Sequence, residues 1–385
     1  MKYRLLSPGP TPVPERVLTA MANPIWHHRT PAFEATFARC REGLKWLFQT
    51  QQEVLTLSAS GTGAFEASFS SLFSPGETVV CVAGGKFGER WSNMAKAFGL
   101  NPVVVPCEWG DAVDVQKVKE ALDKNPDAKG VTVCASETST GVRHPYEEIG
   151  KLVKGRDDCL MVVDAITALG VWDIAPERDG IDVLVTGSQK ALMLPPGLAF
   201  VSLSDKAWQR NAKAKLPRYY FDLAKEKKNQ IQNQTAYTPA VSLVEGLLES
   251  LRLMQEEGLA GVFARHKRLA AATRAGAQAL GLSLFAKAPA DSVTSVLQPA
   301  NIKPDAVYKG LMNRANLTIA GGQDAVKGKI FRIAHLGYYD ELDIITVLGA
   351  IEIVLRQEGY TAFTPGAGVG AASEILKDGF VAKKA

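Results

Sequence analysis

From Glu53 to Leu203, short apolar runs alternate with longer amphipathic stretches. The runs Glu53–Ala59, Thr78–Ala83, Pro102–Val105, Gly130–Ala135, Cys159–Asp164, Asp182–Thr186 and Leu198–Leu203 read as strands. Most are rich in Val and Leu and lack the alternation of a sheet with one wet face. Between them, Phe87–Phe98, Val115–Leu122 and Pro145–Lys154 carry apolar residues at helical spacing. Buried strands joined by helices predict an α/β fold with a largely parallel central sheet.

Beyond about Asp205 the pattern changes. Ser242–Gln255 and Leu259–Leu280 read as long helices, followed by a strand at Ser292–Leu297 and a helix near Pro304–Asn313. Strands near Leu317–Ala320 and Lys329–Ile333 precede a helix over Asp340–Gln357. This mixture predicts a smaller α+β C-terminal domain packed on the first. The expected division is an N-terminal segment 1–20, a large domain 21–255, a small domain 256–358 and an extension 359–385. The extension begins TAFTPGAGVGAAS and reads as a Gly/Ala-rich linker ending in a short polar helix, a surface appendage.

Composition narrows the class. At 385 residues, with 46% hydrophobic and 22% charged, the chain has the balance of a soluble globular protein of two domains. A net charge of +4 without a Lys/Arg-rich block offers nothing to nucleic acid. The opening MKYRLLSPGPTPVP has too many prolines for a signal peptide, and no apolar run is long enough to span a membrane. Five scattered cysteines (Cys40, Cys81, Cys107, Cys134, Cys159) suit buried thiols of a reducing cytoplasm rather than disulfides or a metal site.

Three stretches carry candidate chemistry. SASGTGAFE at 58–66 follows a predicted strand; small and hydroxyl residues opening a helix expose N–H groups that suit a phosphate. A plain strand-to-helix turn explains it as well, because the third glycine of a dinucleotide fingerprint is Glu66 here. LMVVDAITALG at 160–170 puts Asp164 at the end of an apolar strand, where ligands of open α/β sheets gather, although an Asp there also serves as a helix cap. VLVTGSQKALMLPPG at 183–197 sets Lys190 just past a strand and before an apolar segment. Desolvation there would lower its pKa toward the neutral amine that attacks an aldehyde; alone, a strand-end lysine is more often a solvated charge.

Their order is more informative than any one of them. A phosphate cradle, an acid 26 residues before a lysine and a late arginine are what pyridoxal phosphate requires. The chain resembles the class V, fold type I aminotransferases, in particular the alanine–glyoxylate, serine–glyoxylate and serine–pyruvate group. The resemblance rests on LLSPGPTPVPERVL at 5–18, HHRTPAFEATF at 27–37, SASGTGAFEA at 58–67 and GGKFGERW at 84–91. It continues through ETSTGVRHP at 137–145, VVDAITALG at 162–170, TGSQKALMLPPG at 186–197 and FRIAHLG at 331–337.

The resemblance implies a set of roles. Lys190 would hold the cofactor as a Schiff base and move the substrate proton, and Asp164 would pair with the pyridinium nitrogen. Ile166 would pack on one ring face and Phe87 on the other, where close relatives often carry Trp or Tyr. Ser60, Gly61, Thr62 and Gln189 would hold the phosphate, and Thr138 would contact the ring oxygen. Arg332 would bind the substrate carboxylate, with Gly9 lining the pocket. In NQTAYTP at 233–239, Gln234 and Thr235, with Tyr237 and Thr238 as near competitors, would reach the phosphate of a partner subunit. The implied protein is a homodimer with shared active sites. His27, His28 and Arg29 would order the N-terminal segment rather than catalyse, since lysine carries the proton transfers in this family.

The implied activity is ping-pong transfer of an amino group from a small amino acid, alanine or serine, to a 2-oxo acid such as glyoxylate or pyruvate. A single visible carboxylate-binding arginine favours small donors, unless Arg29 or Arg143 also enters the pocket. Aspartate and 2-aminoethylphosphonate transaminases are alternatives, the latter needing cationic donors not evident in the sequence. A lyase of the cysteine desulfurase type needs a cysteine on a C-terminal loop, yet all five lie before residue 160. An electron-transfer subunit, a label some members of this group carry, would need closely spaced cysteines.

Overall fold

The computed structural model describes residues 2–380. Its centre is a seven-stranded sheet in the order Val54–Leu57, Ala199–Leu203, Val183–Gly187, Leu160–Asp164, Gly130–Cys134, Thr78–Ala83 and Asn101–Pro106. Only Ala199–Leu203 runs against the rest, pairing antiparallel with both of its neighbours. Every strand but Asn101–Pro106 is buried along all or most of its length, which explains the unbroken apolar character. The edge strand Asn101–Pro106 is mostly open to solvent and carries two prolines, which an edge tolerates.

Parallel strands end on the same side of a sheet, and this places the chemistry. Ser60–Thr62 follow Leu57, Phe87 follows Ala83, Thr138 follows Cys134, and Lys190 follows Gly187, while Asp164 itself ends its strand. All five therefore collect at one carboxyl edge. Beside that edge, Phe65 stacks on Trp91 with centroids 4.1 Å apart and Phe69 tilts against the same indole. This fixes the helix Gly61–Leu72 against the helix Lys86–Ala97.

A second, three-stranded antiparallel sheet has Ile330–Ala334 between Val293–Leu297 and Ala320–Gly321. The single strand expected near 317–320 is split. Leu317–Thr318 pairs in parallel with Arg4–Leu5, and Ala320–Gly321 joins the sheet that carries Arg332. The extreme N-terminus is thus stitched to the C-terminal third of the chain.

The reading of 359–385 as an appended linker needs correction. The Gly/Ala-rich run forms the helix Ala367–Leu376, packed against the helices Leu259–Ala279 and Glu341–Gln357. Its small residues permit close backbone approach: a Cβ added at Gly276 would lie 3.0 Å from Gly368 O. The buried Glu352 carboxylate accepts the N–H groups of Gly366, Gly368 and Val369 at 2.6, 2.9 and 3.1 Å, capping the helix from outside it. The polar end expected to form a short helix lies partly outside the described residues. No helix among the described residues is long and apolar enough to cross a membrane.

Three histidines are sealed in the interior as neutral rings. His144 accepts from Val113 N at 3.1 Å, His266 lies between Val262 O and Gly337 N, and His335 lies between Asp291 O and Thr294 Oγ1. Burial lowers His144 to about 4 and His335 to about 3. A depressed histidine resists protonation only while folded, so its contribution to stability is lost as pH falls from the unfolded value near 6.5 toward the folded one. The unfolding free energy of the wild type relative to His144→Gln should therefore shrink by about 1.4 kcal/mol per pH unit between pH ~6.5 and ~4. Urea titrations at several pH values check this, and a pH-independent difference would contradict it.

Candidate active site

The carboxyl edge of the sheet opens into one cleft lined by Ser60, Gly61, Thr62, Phe87, Thr138, Asp164, Ile166, Gln189 and Lys190. Those nine residues are candidates from the sequence. Phe65, Arg90, Ser136 and Thr167 line it too and are additions from the structure.

Asp164 sits at the floor, 4% exposed. Ile166 N donates to Oδ1 at 2.9 Å and the Cys134 thiol to Oδ2 at 3.3 Å. Two donors do not replace bulk water, and burial raises the carboxyl to about 7 despite them. Lys190 leaves its strand on a loop closed by Ser188, whose Oγ donates to Pro195 O at 2.7 Å and accepts from Leu198 N. Its Nζ donates to Pro8 O at 2.8 Å. Burial lowers the amine to about 8; nearby Asp164 opposes the shift, while Arg332 and Arg90 add to it.

The N-terminal segment lies over that lysine. Thr11 binds the backbone of Gln189 and Lys190, donating from N at 3.2 Å and from Oγ1 at 3.0 Å. Gly9 has φ +148°, and a Cβ there would fall 2.0 Å from Lys190 Nζ, so no other residue fits. A Cβ at Gly61 would likewise meet Ile166 Cδ1 at 2.2 Å, so Ile166 packs directly on the start of the helix Gly61–Leu72.

That start presents unused donors. Among the described residues, the Ser60 side chain makes no capping bond and the N–H groups of Gly61 and Thr62 have no partner in the chain. Gln189 Oε1 is buried and equally unpartnered. Phe87 and Ile166 line the same cleft, with the Arg90 guanidinium 4.7 Å from the centre of the Phe87 ring. Thr138 Oγ1 shares a 2.7 Å hydrogen bond with Thr167 Oγ1.

Arg332, on the second sheet and 4% exposed, is tied to the cleft through the lining residue Thr138. Nε and Nη2 donate to Gly321 O at 3.0 and 2.7 Å, and Nη1 donates to Thr138 O at 2.8 Å. Three of the five donors of a guanidinium are thus committed, leaving one N–H on each Nη, the pair that grips a carboxylate bidentately. Burial lowers this group to about 10, which keeps it charged at neutral pH.

Other candidates lie apart. Gln234 is bonded to Arg29 and Glu34, and Thr235 Oγ1 donates to Tyr237 O at 2.6 Å. Thr235, Tyr237 and Thr238 line a separate cavity. His27 and His28 stack on each other in an exposed or half-buried loop. Arg143 pairs with Glu147 and covers Trp172. Neither Arg29 nor Arg143 lines the cleft, whereas Arg90 does.

Residues 3–344 match the family described as Aminotransferase class-V. The chain is 44% identical to a protein of Synechococcus sp. named as the small subunit of a soluble hydrogenase, over 97% of this chain and 98% of that one. It is 36% identical to the serine–glyoxylate aminotransferase of Methylorubrum extorquens, covering 99% and 98% of the two chains. The crystal structure of ureidoglycine–glyoxylate aminotransferase from Bacillus subtilis superposes with a TM-score of 0.92 at 29% identity, over 98% of this chain and 99% of that one.

A lysine of pKa about 8 is about one-tenth neutral at pH 7 and mostly neutral at pH 9. Borohydride trapping of an aromatic aldehyde on cofactor-free protein should label Lys190 about tenfold faster at pH 9 than at pH 7, then level off. Peptide mapping reads the site. Labelling that keeps climbing past pH 10 would show an ordinary, solvated amine.

Proposed function

The chain belongs to the class V aminotransferase family and is a pyridoxal-phosphate-dependent transaminase, and we propose that it moves the amino group of a small amino acid, alanine or serine, to glyoxylate or pyruvate. The residues present fit the cofactor: the unpartnered donors at Ser60, Gly61 and Thr62 would hold its phosphate, Asp164 would pair with its ring nitrogen, and Lys190 would supply the amine. Bound there, pyridoxal phosphate supplies an aldehyde that links to amines and a ring that accepts negative charge from the substrate α-carbon.

The protein's own groups do the rest. Arg332 would hold the substrate carboxylate on its two free N–H groups and so fix the orientation of the α-carbon. Asp164, kept ionised by a cation beside it, favours the protonated ring nitrogen. Lys190 Nζ takes the α-proton and returns it on the cofactor side, a task suited to an amine tuned to about 8. Phe87 and Ile166 would exclude water from the cofactor. The first oxo acid leaves before the second enters, which makes the kinetics ping-pong.

We read residues 1–20 as a segment lining the site, 21–255 as the cofactor-carrying domain and 256–358 as the smaller domain. The segment bearing Gln234 and Thr235 is read as directed at the phosphate site of a second copy. Exposed Ile25 and Trp26 precede Arg29, which binds Gln234, and exposed Ile231 lies just before that segment, an apolar surface that pairing would cover.

The observation that carries the small-donor reading is the single buried fork of Arg332. Arg90 favours a second reading. Its guanidinium makes no ion pair among the described residues and lines the same cleft, so it could hold the second carboxylate of aspartate. A donor–acceptor panel separates the two. Alanine or serine should turn over with glyoxylate, and Lys190→Ala should abolish turnover. Arg332→Gln should lower kcat/KM about a hundredfold, without rescue by Arg332→Lys. Faster turnover of aspartate than of alanine and serine, lost in Arg90→Ala, would select the second reading. Equal turnover by wild type and Lys190→Ala would sink both.

A further inference from the structure

Glu137 is a fully buried carboxylate that the reaction as derived does not use. It lies at the start of the turn Glu137–Gly141, whose backbone closes on itself through Thr140 N and Gly141 N, both donating to Glu137 O. Its side chain leaves that turn and meets the beginning of the helix Lys86–Ala97. Oε2 accepts from Gly88 N at 2.8 Å, and Oε1 accepts from Phe87 N at 3.3 Å and Ser139 N at 3.2 Å. The Ser139 hydroxyl also donates to Oε1, and accepts from Lys86 N at 3.0 Å.

This arrangement answers a local need. A helix leaves its first N–H groups unpartnered, and the residue ahead of it is the usual source of an acceptor. Here that residue is Gly85, which has no side chain to offer. Glu137 and Ser139 supply the acceptors from another segment and cap three successive N–H groups, those of Lys86, Phe87 and Gly88. The glycines of GGKFG make room: a Cβ on Gly85 would lie 2.5 Å from Ser139 Oγ and 2.6 Å from Glu137 Cδ. Burial raises the carboxyl, while the Ser139 hydroxyl and then the backbone N–H groups pull it back.

The same turn touches the substrate side. Thr138, the next residue, accepts Arg332 Nη1 on its carbonyl and lines the cleft. The negative charge of Glu137 also favours the protonated Arg332.

We propose that Glu137 is a positioning residue for transamination, holding the Phe87 ring in register with the cofactor face and, through Thr138, the Arg332 fork in register with the substrate carboxylate. The inference rests on the roles proposed above for Phe87 and Arg332. Glu137→Gln keeps the shape but turns one acceptor oxygen into a donor that faces a backbone N–H. The cofactor dissociation constant, from titration of the apoprotein followed by visible circular dichroism, should rise about tenfold. The donor KM should rise about tenfold as well, with kcat changed less. The dichroic band of the bound cofactor should weaken, because the ring is no longer held at one angle. Ser139→Ala should show the same pattern at about threefold.

A purely structural Glu137 would lower the melting temperature of the apoprotein and leave the dissociation constant, the KM and the dichroic band at wild-type values. That result overturns the proposal. If Glu137→Gln does not fold, Ser139→Ala decides by the same three readouts. Phe87→Ala and Arg332→Gln separate the failures. If they shift cofactor affinity and donor KM while the Glu137 and Ser139 variants do not, the positioning role alone falls. If they shift neither, the reading of the site falls and takes this one with it.

Discussion

The withdrawal of the Asp164 carboxylate from water is the constraint around which the site is organised. A carboxylate at the end of a fully buried strand loses solvation that a backbone N–H and a thiol cannot replace, which is why it rises to about 7. The same dry cleft pushes Lys190 down to about 8. Each charge is unfavourable alone and each favours the other, so the floor of the cleft is balanced near neutral pH. A cationic ring nitrogen laid against Asp164 would return it to the ionised form and free the lysine for its own chemistry. The apolar strands that give the sheet its stability are thus also what tunes the acid and the base.

A second theme is the capping of glycine-led helices by distant buried carboxylates. The helix Lys86–Ala97 receives Glu137, and the helix Ala367–Leu376 receives Glu352. In both, glycines let the helix start approach another segment closely, and the capping charge comes from that other segment. A local cap would stabilise the helix alone. A cap from elsewhere stabilises the helix only when the tertiary contact is made, so helix formation and packing become one event.

Much of this was legible in the sequence, for physical reasons that can be named. Inner strands announce themselves by uninterrupted apolar runs, and parallel strands deliver the residues that follow them to one edge. Asp164 and Lys190 could therefore be placed together before any coordinates. Arg90, Ser136 and Thr167 could not, because membership of the cleft depends on how a helix and two loops lean across that edge. Glu137 opens the run ETSTGVRHP, but its task shows only through GGKFG, a helix start whose glycine cap cannot cap itself. The tail was misread for a related reason. Gly and Ala have little hydrophobic surface, so GAGVGAAS looks like a linker, yet their small size is what allows Gly368 to sit against Gly276. The interruption at Ile319 was invisible because strands of two residues carry no periodicity.

The strap over Lys190 has a consequence for the order in which the molecule is completed. Residues 7–11 are held by Lys190 and Gln189 below, by the Tyr339 hydroxyl donating to Ser7 O, and by the pairing of Arg4–Leu5 with Leu317–Thr318. A growing chain makes the strap more than three hundred residues before Leu317–Thr318 and Tyr339, the last of its anchors. The central sheet can form well before then, with its reactive amine uncovered. The strap thus precedes its floor in the chain, yet it is held at every anchor only once the residues around Leu317 and Tyr339 are in place.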